Sequence, residues 1–128
     1  MTEQQYKNLT VKALLERKDE IKDKQRQQST LYIKSLDATI KVQEPANADI
    51  LDAMEMKDGG ADEFLIYNNV VEPNLKSADL QKGYGVQEPE QIVKELFKKA
   101  ETHMIAQHMM ELAGYSKGSV KAVDETKN

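Results

Sequence analysis

The apolar residues with clear helical spacing crowd into the second half of this chain, from Phe64 to Tyr115. Within it, DEFLIYNNVV carries Phe64, Leu65, Ile66, Tyr67, Val70 and Val71, which cover nearly every side of a helix. A helix that is apolar all round is central in its bundle. The core must therefore form around this segment, and Pro73 limits it because the residue before a proline disfavours α geometry. At 128 residues there is room for one domain. With no Trp, two Phe and 5% aromatics, that domain buries only a modest core. Marginal stability, or support from self-association or a partner, is the expectation.

The elements after Pro73 have clear end signals. Ser77 suits the N-cap of SADLQKGY, and Gly83 or Gly85 suits its left-handed C-cap. Pro89 fits the first position of a last helix, with Glu88 and Glu90 favourable near its N-terminal dipole. That helix is expected to be the longest, from Pro89 to Ala113. Its stripe is Ile92, Val93, Leu96, Phe97, Ala100, Met104, His108, Met109 and Leu112, and Gly114 stops it.

The first half is sparser. Leu9 to about Lys24 predicts a helix with Thr10 as N-cap and an incomplete stripe of Leu9, Val11, Leu14, Leu15 and Ile21. The alternating charges of ERKDEIKDK suit a solvated face. RQQST breaks the period. LYIKS and TIKVQ then alternate as a β-hairpin, about 31–43, turning at Ser35-Leu36-Asp37-Ala38. A lone hairpin is marginal in water, so it must pack on helices, pair with a further strand, or offer its edge to a partner. Asn47 can cap ADILDAMEM, with Ile50, Leu51 and Met54 apolar, and Lys57-Asp58-Gly59-Gly60 is a clear breaker. The fold class is α+β, mainly α: an N-terminal helix and β-hairpin, then a small helical bundle with a long C-terminal helix. One domain is expected over 1–115, its helical part about 47–115, with a disordered polar tail at 116–128 and fraying at 1–8.

Composition excludes several functions. A net charge of −4 and a pI near 5.3 speak against a nucleic-acid binder. Without Cys there is no disulfide framework or thiolate metal site. No basic-then-apolar leader and no apolar run near the ~20 residues of a membrane span are seen, so the expectation is a soluble intracellular protein. His103 and His108 would lie about 140° apart on a helix and do not share a metal comfortably. Gly59-Gly60 and Gly83-Tyr84-Gly85 are too short for a phosphate loop. Asp58, Asp62 and Glu63 do not have calcium-loop spacing, and Asp49 and Asp52 fall on a solvent face. No catalytic residue, metal or cofactor is expected, and the chain is not read as an enzyme. Met54, Met56, Met104, Met109 and Met110 suit core filling, or an adaptable groove for an apolar partner helix.

Leu65-Ile66-Tyr67-Asn68, Pro73, Leu80-Gln81, Tyr84-Gly85-Val86, Glu88-Pro89, Ile92-Val93, Leu96-Phe97, Glu111-Leu112 and Gly114-Tyr115 occur in an order that resembles the XkdN-like tail assembly chaperones of tailed bacteriophages. LLERK and the proline before DILD extend the likeness upstream, so that it covers roughly residues 9–115. The resemblance implies a phage or prophage chaperone that binds the tape measure protein, keeps it soluble, and helps recruit tail tube protein as the tube grows. It implies action in the host cytoplasm and absence from the mature virion. It also implies a longer form made by translational frameshifting, and Thr126-Lys127-Asn128 can be encoded by a slippery run. Self-association is a further expectation, without nucleic acid or membrane as partner. Tyr67, Tyr84, Phe97, Met109 and Met110 are the candidate partner contacts, and each also fits a plain core position. The alternative is a structural or head–tail joining protein retained in the virion. An unrelated helical adaptor comes next.

Overall fold

The computed structural model describes residues 6–23, 26–57 and 59–123. Asp58 and residues 124–128, which include the end of the expected tail and its Thr-Lys-Asn terminus, lie outside the described residues.

The expected N-terminal helix is two short ones, α1 (Val11–Glu16) and α2 (Lys18–Lys22), separated at Arg17. Thr10 caps α1 as its hydroxyl accepts from the Ala13 N–H at 3.1 Å. The apolar stripe finds no core: α1 and α2 have no buried residue, and Leu15 is 66% exposed. With so few apolar neighbours, charged residues dominate this segment and it stays at the surface.

The hairpin forms between β1 (Gln28–Ile33) and β2 (Ala38–Gln43), so pairing starts inside the RQQST stretch. A 3-10 turn at Lys34–Leu36 and Asp37 in the left-handed region (φ 48°) connect the strands. Asp37 tolerates that conformation better than most residues, and its carboxylate accepts from the Tyr32 hydroxyl at 2.6 Å. The register pairs Leu31 with Ile40 and Ser29 with Val42. Ile33, Ile40 and Val42 are buried on one face.

After α3 (Asn47–Met54), the central helix α4 (Ala61–Asn69) ends earlier than its apolar run. Val70 and Val71 are not helical. They belong to a third strand, β3 (Val70–Glu72), which pairs antiparallel with β2. Two physical causes act together. β-Branched residues before a proline prefer extended backbone, and β2 offers an open edge. The sheet order is β1-β2-β3. Asn47 is the first residue inside α3 rather than its cap, which falls on Ala46 without a side-chain bond. Ile50 and Ala53 point inward, whereas Leu51 and Met54 are exposed.

α5 (Ala78–Gly83) is capped by Ser77, which accepts from the Leu80 N–H at 3.3 Å. It ends with Gly85 at φ +66°, where the Val86 N–H reaches the Gln81 carbonyl and the Gly85 N–H the Lys82 carbonyl. That is a Schellman ending, and it needs the positive φ that glycine adopts without strain. Gly114 (φ +101°) ends the last helix in the same way.

The single long helix expected over 89–113 is two. α6 (Gln91–Leu96) stops at Phe97, which is extended, and α7 (Lys99–Leu112) restarts after Lys98. Pro89 lies in the turn before α6 instead of opening it. The restart has a local cause: the Glu101 carboxylate accepts from the Lys98 N–H at 2.9 Å, the reciprocal half of a capping box. The break changes the helix phase. The buried positions of α7 are Thr102, Ile105, Ala106 and Met109, not the Ala100–Met104–His108 row that an unbroken helix would turn inward.

The core joins one face of the sheet to α4, α6 and α7: Ile33, Ile40 and Val42 meet Leu65, Ile66, Ile92, Val93, Phe97, Ile105 and Met109, with Leu75 from the loop after β3. Truncating a fully buried member should therefore cost far more than truncating α1. Ile66→Ala is expected to lose about 2–5 kcal/mol, while Leu15→Ala stays within about 0.5 kcal/mol. Urea unfolding of the two variants compares them directly, and equal losses would mean that α1 is packed.

Candidate functional site

A groove of about 470 Å³ lies between β1 and α7. Its floor and walls are Leu31 and Ile33 from the strand and Met104 and Ile105 from the helix, with Tyr32, Lys34, Glu101 and His108 around them. The size is in the range of binding sites, and apolar side chains make up its centre. Its character is that of an apolar contact surface.

Hydrogen bonds tie the strand to the helix at both ends of the groove. At one end His108 Nε2 meets Ser29 Oγ at 2.9 Å. At the other, the Glu101 carboxylate is bonded to Ser35, in the hairpin turn, as well as to the Lys98 N–H. The apolar stretch between these anchors is left open. Met104 is 59% exposed, a large apolar side chain held at the surface by the phase change at Phe97. Its unbranched thioether adapts to irregular apolar partners.

The five residues singled out in the sequence occupy different environments. Phe97 and Met109 are buried in the core, so a partner cannot reach them in the folded chain. Tyr67 is half-buried on α4; its hydroxyl accepts from Gln81 Nε2 at 3.3 Å, and Lys76 Nζ lies 5.4 Å from its ring centroid. Tyr84 is exposed at the end of α5, beside a cleft formed with Val86, Gln91 and Lys94. Met110 is half-buried against the core. Among the described methionines, Met54 and Met104 are the most exposed and lie on separate helices.

The histidines serve different contacts: His103 Nδ1 is 3.3 Å from Asp62 Oδ2, while His108 turns to Ser29. Among the described residues no cluster of three metal-ligating side chains exists. Glu63 is buried on α4, with Lys99 Nζ 3.4 Å from Oε2 and no partner on Oε1. Asn69 is also fully buried.

Sequence reasoning missed the groove because its two walls are far apart in the chain and because an unbroken helix would hide Met104. One signal was available: QSTLYI contains neither a charge nor a proline.

The anchors at the groove's end make a pH test possible. Bonding to Ser35 first, and to the Lys98 N–H second, holds the Glu101 carboxyl below its usual value. A folded pKa below the unfolded one adds stability that is present above about pH 4.3 and lost as pH falls through the folded value. Glu101→Gln should therefore be less stable than wild type at neutral pH, and the difference should shrink with acidification through that value. Carboxyl NMR titration checks the premise; a Glu101 that titrates at or above the ordinary range defeats it.

Among the described residues no helix is long and apolar enough to cross a membrane. No curated protein and no solved structure matches the chain. The family of phage XkdN-like tail assembly chaperone proteins does, over residues 2–127. That match spans nearly the whole sequence. The chain belongs to the phage XkdN-like tail assembly chaperone family.

Proposed function

We propose that this chain binds the tape measure protein of its phage before tail assembly, keeps it soluble, and helps recruit tail tube protein during polymerisation. The observation that carries the reading is the family match over residues 2–127. The open apolar groove beside Met104 supports it.

A tape measure protein exposes long apolar faces until the tube encloses it. A chaperone for such a client needs an apolar surface that accepts varied side chains and a charged exterior that prevents coaggregation. The groove supplies the first, and the net charge of −4 contributes to the second. Tyr67, Tyr84 and Met110, which reach solvent, are proposed as further contacts, and Phe97 and Met109 support them from the core. The protein acts by binding, in the host cytoplasm, and leaves before the virion is complete. A frameshifted longer form and self-association belong to the same proposal.

Co-expression with the tape measure protein of the same gene cluster tests it, with pull-down through a tag on this chain. Soluble tape measure protein should co-purify with several copies of the chaperone. Met104→Glu puts a charge over the groove and should reduce recovery at least about fivefold, roughly 1 kcal/mol, with circular dichroism unchanged. A tape measure protein that stays insoluble with both the short and the frameshifted form would reject the reading. Finding the chain in purified virions would favour the structural alternative.

A further inference from the structure

The two edges of the sheet are unlike. β3 is a three-residue edge with a register irregularity opposite Lys41 and Val42, ending at Glu72 and Pro73. Short length, irregular pairing, charge and proline are devices that keep an edge from recruiting another strand. β1 has none of them. It is six residues long, its register with β2 is regular, and QSTLYI carries no charge and no proline.

The hydrogen-bonding direction of that edge follows from one contact. The Glu44 N–H donates to the Gln27 carbonyl at 2.6 Å, and these two residues continue the β1–β2 register. Alternation in an antiparallel pair then turns the backbone groups of Ser29, Leu31 and Ile33 toward β2. Those of Gln28, Thr30 and Tyr32 point away from it. Among the described residues no strand pairs on that side.

The groove lies between this edge and α7. A strand added to β1 would sit about 4.8 Å outside it. Alternate side chains of that strand would enter the space bounded by Leu31, Met104 and Ile105, and the others would face solvent. A second copy of this chain is a poor occupant. Its own Ile33 is buried and its own Ser29 is bonded to His108, which leaves Leu31 alone part-exposed on that face, so its β1 does not have a row of free side chains to fill the groove. An extended segment without a helix packed on it does.

We propose that β1 accepts an extended segment of the client by strand addition, with apolar side chains at alternate positions of that segment filling the β1–α7 groove. The backbone of Gln28, Thr30 and Tyr32 supplies the hydrogen bonds. Because main-chain bonds carry much of the recognition, the surface reads an alternating apolar pattern rather than one sequence, which suits a chaperone that binds a long client at many places. The inference rests on the proposed tape measure binding for its natural partner, not for its geometry.

Thr30→Pro is the direct test. It removes an outward N–H and crowds the edge, while the β1–β2 bonds run through neighbouring residues. Thr30→Val keeps the donor and is the control. Binding of the tape measure protein should fall at least about tenfold in Thr30→Pro and stay unchanged in Thr30→Val. Amide hydrogen exchange on the wild-type complex gives a second readout that needs no variant. The Gln28, Thr30 and Tyr32 amides should gain protection on binding, while those of Ser29, Leu31 and Ile33 are protected already. Bound tape measure protein without new protection at those three amides overturns strand addition and leaves the chaperone reading intact. If the tape measure protein does not bind at all, a synthetic peptide of alternating threonine and valine replaces it. Binding to wild type with loss in Thr30→Pro sustains the inference, and no binding ends it. A wild-type dimer that Thr30→Pro makes monomeric, with the same amides protected in the unliganded chain, overturns it in favour of a second copy.

Discussion

The fold depends on where α4 stops. This helix packs against α3, α6, α7 and β2, and its last residue hands the chain directly to the third strand. Asn69 marks the change. Its side chain is fully buried and donates to the Leu65 carbonyl one turn back, at 2.9 Å, and to Asp49 on α3, at 3.3 Å. Its amide oxygen accepts from Arg26 Nη2 at 2.6 Å, just ahead of β1. Arg26 also donates to the Glu44 carbonyl at 2.8 Å, just past β2. One buried amide thus ties the end of the central helix to α3 and to the open end of the hairpin. A buried amide satisfied on both its oxygen and its nitrogen specifies one arrangement; losing any partner would strand a polar group in the core.

A second local decision shapes the surface. The stripe from Ile92 to Leu112 is periodic enough to run as one helix, yet Phe97 is extended and buried, and Glu101 recaps the chain at Lys98. Sinking an aromatic side chain into the core at this point outweighs the few backbone bonds lost between α6 and α7. The consequence appears one and two turns further on. Ile105 and Met109 turn inward, while Met104 and His108 turn toward β1. The groove is thus a by-product of a helix break: the same residues on an unbroken helix would fill a core stripe.

Bonding between strand and helix then holds this surface open. Ser29–His108 and Ser35–Glu101 fix α7 against the hairpin at two points and leave apolar side chains between them without a cover. For a member of a tail assembly chaperone family, an uncovered apolar channel beside an unguarded strand edge is a coherent combination. Under the proposed strand addition, backbone and side-chain contacts would act together, and neither would demand a particular client sequence. The exposed apolar residues of α1 are a different case, since that helix has no buried residue.

By itself the sequence determined the fold class, the centrality of the Phe64–Tyr67 segment and several element ends. Thr10, Ser77, Gly85 and Gly114 act where local chemistry places them, because a cap or a positive φ is settled within a few residues. The order of packing and capping residues also carried the family likeness. What depended on distant neighbours was not legible. Val70 and Val71 are apolar enough for either a helix or a strand; β-branching and the nearby Pro73 favoured extended backbone, and the edge of β2 supplied the pairing that no local pattern names. The α6–α7 break needed the core to claim Phe97. Burial divided Tyr67, Tyr84, Phe97, Met109 and Met110 between surface and interior according to packing partners that helical spacing does not name. The groove itself belongs wholly to the tertiary structure, since its walls come from segments about seventy residues apart, and no local pattern records which side of a helix will face an open strand.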